Sequence, residues 1–350
     1  MKIKGGYVPK ITINNQFGDI FETSRKKITP EEKIEKIKKP ASPPVVEIPI
    51  SVVPKNILFL CPLIDEDNRL NLYFTHLFDR EDVGIARTFQ EVADQMSAYD
   101  VLHIQYDEEL YNDKELIQFI ETLKNKYNIN IFITINTLIS KKTQFYQYLS
   151  RICHVVVNNS IPARFNQNIN FIEPGCIKLN VPFQSKRNDR IATFGFSTSI
   201  KNTESLGMIA NELDVEIDVY SPNEHAKSYS RVNIINDYIS TEELLEKISQ
   251  YRLLLFLRRN SSYLSASHSV RLAFNCRVPI VCQSSPYFGD LAQVVKVASY
   301  EDIPKIVNDL FLDESQYHET IAKQEDFLEQ HTVDEAFKQH LLLYERVLRQ

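Results

Sequence analysis

"DVLHIQYDEELYNDKELIQFIETLKNKYNINIFITINT", residues 100–137, decides the fold. It opens and closes on apolar runs, 100–107 and 129–137, rich in Ile and Val. Between them Leu116, Phe119, Ile120 and Leu123 recur at helical spacing. Short apolar runs read as buried strands, and the i, i+3, i+4, i+7 pattern reads as a helix with one face covered. Strand, helix and strand in that order make a βαβ unit, whose strands are parallel. Upstream, "NILFLCPL" (56–63) is another strand, followed by a helical stretch at 86–98. Downstream come a helix at 142–152 and the strands "HVVVNN" (154–159) and "INFIEPG" (169–175). The alternation predicts one parallel sheet wrapped by helices.

"LNVPFQSKRND" (179–189) interrupts the pattern with Pro182 and a charge cluster, and reads as a linker. Alternation then resumes. Strands are expected at 190–196, 215–220, 231–235, 252–258, 278–283 and 294–299, with helices at 203–213, 241–250, 266–276, 286–292 and 301–312. The stretch 314–350 is helical, with Phe337, Leu341, Leu342, Tyr344 and Leu348 on one apolar face. The expected fold class is therefore α/β: two Rossmann-like, doubly wound parallel-sheet domains facing a cleft. The expected domains are 55–182 and 183–330, with a helix at 331–350 returning to the first domain. Residues 1–54 carry prolines at 40, 43, 44, 49 and 54 and read as an extended or disordered arm, with 1–50 as the segment that would meet a protein partner.

Composition narrows the function classes. Of 350 residues 43% are hydrophobic, enough for two cores, and the net charge of −6 disfavours general nucleic-acid binding. No apolar run reaches the roughly 20 residues of a membrane span. The start, "MKIKGGYVPK", has no apolar signal core. Five scattered cysteines without a C-x-x-C pair suggest buried thiols, no metal site and a reducing compartment, so a cytoplasmic protein is expected. Glycine is scarce, 8 in the chain, although phosphate-cradling backbones normally rely on it. No G-x-G-x-x-G follows a strand, which disfavours a dinucleotide oxidoreductase.

Several segments, in order, resemble the GT-B glycosyltransferases, in particular the retaining group of glycogen-synthase-like and lipopolysaccharide glycosyltransferases. They are "YDVLHIQYDEELY", "NIFITINTL", "CHVVVNNS", "NFIEPG", "IATFGFSTSIKNTESLGMIANEL" and "SYLSASHSVRLAFNCRVPIV" continued by "SSPYFGDL". The resemblance covers about residues 55–330. It implies transfer of a sugar, with retention, from a UDP- or GDP-sugar donor, with no tightly bound cofactor. The acceptor it implies is a glycan, lipid, protein or modified nucleic acid.

Ligands in such sheets sit beyond the carboxyl ends of the strands, so the residues there are the candidates. Gly195 and Phe196 end one strand. Lys201 matches the lysine that neutralises the donor diphosphate. Arg258 and Arg259 end another strand, where an arginine fork suits phosphate oxygens. Ser265, Ser267, His268 and Ser269 lead into a helix whose first amides have no partners inside the helix. The resemblance gives catalytic roles to Lys201, Arg258 and His268. Read as ordinary surface features, the lysine would be a solvated helix-start residue, the arginines an ion-paired couple between domains and the histidine a cap.

The chain also departs from the group. Two acids that would hold donor hydroxyls are replaced by Leu264 and Leu272, a glycine by Arg277, another by Asn202, and a histidine by Asn136. The stretch before "VLHIQ" is short, which leaves Asp65, Glu66, Asp67, Asp107, Glu108 and Glu109 as candidates to meet acceptor hydroxyls. Two readings stand side by side: a working glycosyltransferase, and a GT-B-like binding or structural protein without turnover.

Overall fold

The computed structural model describes residues 56–62, 69–108, 110–127, 129–159, 169–195, 200–221, 229–236, 239–258 and 263–350. The arm expected over residues 1–54 lies outside them.

The first lobe contains β1 (Ile57–Leu60), β2 (Val83–Ala86), β3 (Val101–Tyr106), β4 (Asn130–Ile135), β5 (Leu138–Ile139), β6 (His154–Val157) and β7 (Ile169–Phe171). Six of these form a parallel sheet in the order β2-β1-β3-β4-β6-β7. The second lobe contains β8 (Asn188–Phe194), β9 (Ile217–Tyr220), β10 (Val232–Ile235), β11 (Tyr251–Phe256), β12 (Tyr263–Leu264), β13 (Ile280–Gln283) and β14 (Lys296–Ala298). Its parallel sheet has the order β10-β9-β8-β11-β13-β14. In both sheets the strand order reverses beside the first strand, the arrangement that opens a crevice at the carboxyl ends. β3 is buried along its whole length, as a strand covered on both faces must be.

The βαβ unit that opens the sequence reading is present as β3, a helix at Asp113–Tyr127 and β4. Leu116, Ile120 and Leu123 are the buried face of that helix, while Asp113 and Glu115 occupy its first turn and Lys124 and Lys126 its last, as the helix dipole favours. The helix expected from residue 86 instead starts at Phe89, because Val83–Ala86 is a strand and Thr88 caps the helix by accepting from Glu91 N–H. The stretch expected at 286–292 is a 3₁₀ helix, Pro286–Leu291.

One helix, Arg69–Phe78, is absent from the sequence expectations. It packs against the last helix, Val333–Leu348, and both lie on the first sheet. There Tyr73, Phe74, Phe78, Phe337, Leu343 and Tyr344 share a core with Phe59 and Phe132.

Residues 172–183 run from the first lobe to the second and are held on both sides. Cys176 N–H donates to His331 O, and Val333 N–H donates to Cys176 O (3.2 Å). Gly175 makes this approach possible. A Cβ there would meet Thr332 O and would lie 2.5 Å from Val333 Cα, both backbone atoms that no rotamer change can move. Gly175→Ala is expected to destabilise the chain by about 1–3 kcal/mol, the usual cost of overpacking, and to lower Tm by roughly 2–4 °C per kcal/mol. Differential scanning fluorimetry checks this; an unchanged Tm would mean that the two segments separate freely.

Candidate functional site

β8 and β11 lie side by side, and their carboxyl ends carry Gly195 and Arg258. Gly195 turns the chain with φ +75°, in the left-handed region that favours glycine. A Cβ on it would stand 2.5 Å from Ser269 Oγ. Ser269 belongs to the helix His268–Ala273, which Ser267 caps by accepting from Val270 N–H (3.3 Å). Arg258 donates its backbone N–H to Gln283 Oε1 (3.1 Å) and lays its guanidinium 4.6 Å over the Tyr287 ring. Arg258, Ser267 and Ser269 line one small cavity together with Phe194, Phe256, Leu257, Tyr287 and Phe288. Its volume is about 10 Å³, in a measure on which one water needs about 10–15 Å³.

Four of the residues expected at the site therefore converge: Gly195, Arg258, Ser267 and Ser269. Ser265 is close by but buried, and its carbonyl accepts from Asn159 Nδ2 of the first lobe (3.3 Å). His268 turns away from the cavity. Its ring centroid is 4.5 Å from that of Tyr73 and 6.5 Å from that of Phe74, both on the first lobe. Its Nε2 is enclosed without a hydrogen-bond partner. Burial, with the Arg271 charge adding to it, pushes the imidazole pKa down to about 3, so the ring is neutral and weakly basic at neutral pH. Lys201 lies in the first turn of the helix Ile200–Leu213. Its side chain, Phe196 and Arg259 lie outside the described residues, as do Asp65, Glu66, Asp67 and Glu109.

The two leucines that replace acids are core residues. Leu264 is 3% exposed and packs into the first lobe's core, and Leu272, 5% exposed, into the second's. Leu264 also belongs to β12, which pairs antiparallel with β5 across the lobes, Leu138 opposite Leu264 and Ile139 opposite Tyr263. Asn136 sits at the end of β4 and accepts from Asn158 Nδ2 (2.9 Å), while its own Nδ2 is enclosed and unpartnered. Asn202 donates to Leu257 O (3.1 Å), tying the start of the Ile200–Leu213 helix to the end of β11. Arg277 has a left-handed backbone, φ 54°, the region that favours glycine.

On the first lobe's rim, Lys142 Nζ lies 3.0 Å from Asp113 Oδ1 and 4.0 Å from Glu108. Tyr106 Oη donates to the same Asp113 oxygen (2.7 Å). Glu108 is thus part of a charge cluster just after β3. Among the described residues, no group of three or more His, Cys, Asp or Glu is placed to hold a metal ion. No helix among them is long and apolar enough to cross a membrane.

No known family's sequence profile matches the chain, and no curated protein is recognisably similar in sequence. Solved structures are similar in shape. The trehalose-6-phosphate synthase OtsA superposes with TM-score 0.64 at 6% identity, over 83% of this chain and 99% of that one. The fold is that of the GT-B glycosyltransferases. AviGT4, a glycosyltransferase of avilamycin A biosynthesis, gives TM-score 0.59 at 9% identity, over 85% of this chain and 98% of its own. TarM gives 0.55 at 15% identity over 70% of this chain, which spans about half (54%) of TarM's length. A mutant of TarM from S. aureus is solved in complex with Fondaparinux, alpha-GlcNAc-glycerol and UDP. The superpositions show a shared GT-B architecture.

From the sequence Arg271 could supply a charge beside Leu272, though on a helix its side chain points about 100° away; its burial and its partners are what the sequence does not show. Arg271 stands between Val270 and Leu272 in an otherwise apolar turn and is 1% exposed. A cation in such a run is the available signal, because a buried guanidinium implies partners brought from elsewhere in the chain.

Proposed function

We propose that this GT-B chain binds a nucleotide-diphosphate sugar at the facing ends of β8 and β11 and transfers the sugar, with retention, to an acceptor on the first lobe. The observation that carries the reading is the contact of Gly195 with Ser269. It brings the turn after β8, the end of β11 and the first turn of the His268–Ala273 helix within reach of one anion. Arg258 lines the same cavity, and Lys201 starts the helix that follows Gly195. The amides of His268 and Ser269 are first-turn N–H groups with no carbonyl of their own helix to donate to. Retaining transfer on such a frame needs positioning and charge stabilisation more than acid–base groups. The neutral His268, packed on Tyr73 and turned away from the cavity, fits a packing role between the lobes better than proton transfer. The complex of a TarM mutant with UDP supports UDP and its sugar conjugates as the first ligands to test.

A second reading draws on Leu264, Leu272 and the β5–β12 pairing. Leucines accept no hydrogen bond from a sugar, and both are core residues, with Leu264 also in the strand pair that joins the lobes. These observations favour a GT-B protein that binds without turnover.

Thermal shift with UDP, GDP and their sugar conjugates tests both readings. A ligand at 100 times its Kd should add about 2.7 kcal/mol of stability. Because the acids are gone, the free diphosphate should bind nearly as well as the conjugate. Lys201→Ala should cost about 1.5–3 kcal/mol of that binding. No shift with any nucleoside diphosphate at millimolar concentration would remove the transferase reading. Binding without release of sugar to any acceptor would select the second.

A further inference from the structure

Arg271 does not line the small cavity, yet it holds the residue that does. Its Nη1 donates to the carbonyl of Ser267 (3.4 Å), one turn back in its own helix. Its Nε donates to Pro174 O (3.0 Å), in the segment that leaves β7 for the second lobe. Its Nη2 donates to Asp290 (2.5 Å), in the 3₁₀ helix after β13. The Glu173 carboxylate lies 3.8 Å from Nη2 and also pairs with His331 Nδ1 (3.0 Å), where the last two helices meet. One buried cation thus ties together the cap of the Ser267–Ser269 turn, the interlobe segment and the second sheet.

We infer that Arg271 is a positioning residue: it seats Ser267–Ser269 against Gly195 only while Glu173 and Pro174 of the interlobe segment are in place. The inference rests on the reading above for what that seat receives. The chemistry favours arginine for this role. A planar guanidinium directs its N–H groups along fixed lines and can serve two carbonyls and a carboxylate at once. A buried charge is tolerated only when fully paired, so displacing Pro174 O would leave Nε without an acceptor and strain the grip on Ser267. A residue that only filled space would need no carbonyl from the other side of the interface. The shape of the seat is thereby made dependent on contact between the lobes, even though Arg271 lies behind it.

Arg271→Lys keeps the charge and removes the fork. Glu173→Gln keeps the fork and weakens its anchoring on the interlobe side. The test combines amide hydrogen exchange of the full-length variants with UDP titration by calorimetry. In Arg271→Lys, amides 266–270 should exchange at least tenfold faster, while those of β1, β3, β9 and β10 keep their rates. Glu173→Gln should show the same selective change at a smaller size, and it serves as the deciding variant if Arg271→Lys does not fold. The Kd for UDP should rise at least tenfold in Arg271→Lys. Exchange that quickens evenly over the whole second lobe, or not at all at 266–270, overturns the inference, as does an unchanged Kd. Selective loosening in a protein whose wild type binds no UDP upholds the positioning role and overturns the donor reading.

Discussion

Between pH 7 and pH 5 the protein is expected to lose stability by a few kcal/mol, because two neutral histidines are sealed in the first lobe's core. His103 and His340 are 0% and 2% exposed. Their rings lie 5.0 Å apart, among Phe59, Phe78 and Tyr344. Of the ring nitrogens of His103, Nε2 bonds Thr134 Oγ1 (2.8 Å) and Nδ1 bonds Tyr344 Oη, whereas Nδ1 of His340 is enclosed without a partner. Burial pushes the pKa of His340 down to about 3, and burial together with the charge His340 would carry pushes that of His103 well below the ordinary range. In the unfolded chain both return to about 6.5.

The unfolded state therefore binds more protons at every pH between those limits. Stability is fully present above 6.5 and falls as pH drops below it, until the folded pKa values are reached. His340 contributes about 1.4 kcal/mol per pH unit below 6.5, about 2 kcal/mol by pH 5, and His103 acts in the same direction. Folded domains typically hold 5–15 kcal/mol, so a loss of this size is measurable. His154 and His268 are shifted in the same direction and add to the slope. Glu173, held below the usual carboxylate range by His331 and Arg271 against its burial, acts only at lower pH. Urea midpoints measured from pH 7.5 to 5 report the slope directly. His340→Leu, which also removes the unpartnered nitrogen, should flatten it by about one proton's worth. A midpoint that does not move over this range would show that the histidines are already charged or solvated.

Much of the fold is legible in the sequence because buried parallel strands announce themselves. β3, β4 and β11 are six-residue runs with at most two polar positions each, and the helix between β3 and β4 keeps its apolar spacing. What escapes is short or carries a mixed signal. β2 is four residues long and includes Gly84. The helix Arg69–Phe78 reads "RLNLYFTHLF", where Tyr, Phe and Thr favour strands and the helical stability comes from packing on the Val333–Leu348 helix. β5 and β12 have two residues each, and their pairing joins the two lobes, so neither contains the information alone. Of the candidate site, the turn at Gly195 and the start of a helix after Ser267 were legible, because a glycine after a strand and a serine-rich lead into an apolar turn are local signals. The partners of Arg271 were not, because Pro174, Ser267 and Asp290 approach one another only after both sheets have formed.

Replacing Gly195 with valine should abolish nucleoside-diphosphate binding, with a loss in affinity of roughly 100-fold or more, equivalent to about 2.7 kcal/mol. Two costs act together. The backbone at φ +75° is disfavoured for a β-branched residue by about 1–3 kcal/mol. The new Cβ would also stand 2.5 Å from Ser269 Oγ before the two methyl groups are counted. The chain can relieve the clash by rotating residue 195 towards extended backbone, which redirects the chain as it leaves β8. Otherwise it can push Ser269 and the first turn of its helix off the sheet. Either movement separates the groups proposed to share the diphosphate, while the sheet behind them keeps its hydrogen bonds. The loss should therefore appear in the Kd for UDP far more than in Tm, which should fall only by the few degrees that such strain implies. The double change Gly195→Ala with Ser269→Gly separates the two costs, since it removes the contact and leaves the backbone strain. Partial recovery of binding in that variant assigns the rest of the loss to the turn itself. UDP binding within threefold of wild type in Gly195→Val would place the diphosphate elsewhere, and the end of β8 would then be a tight turn with no ligand to hold.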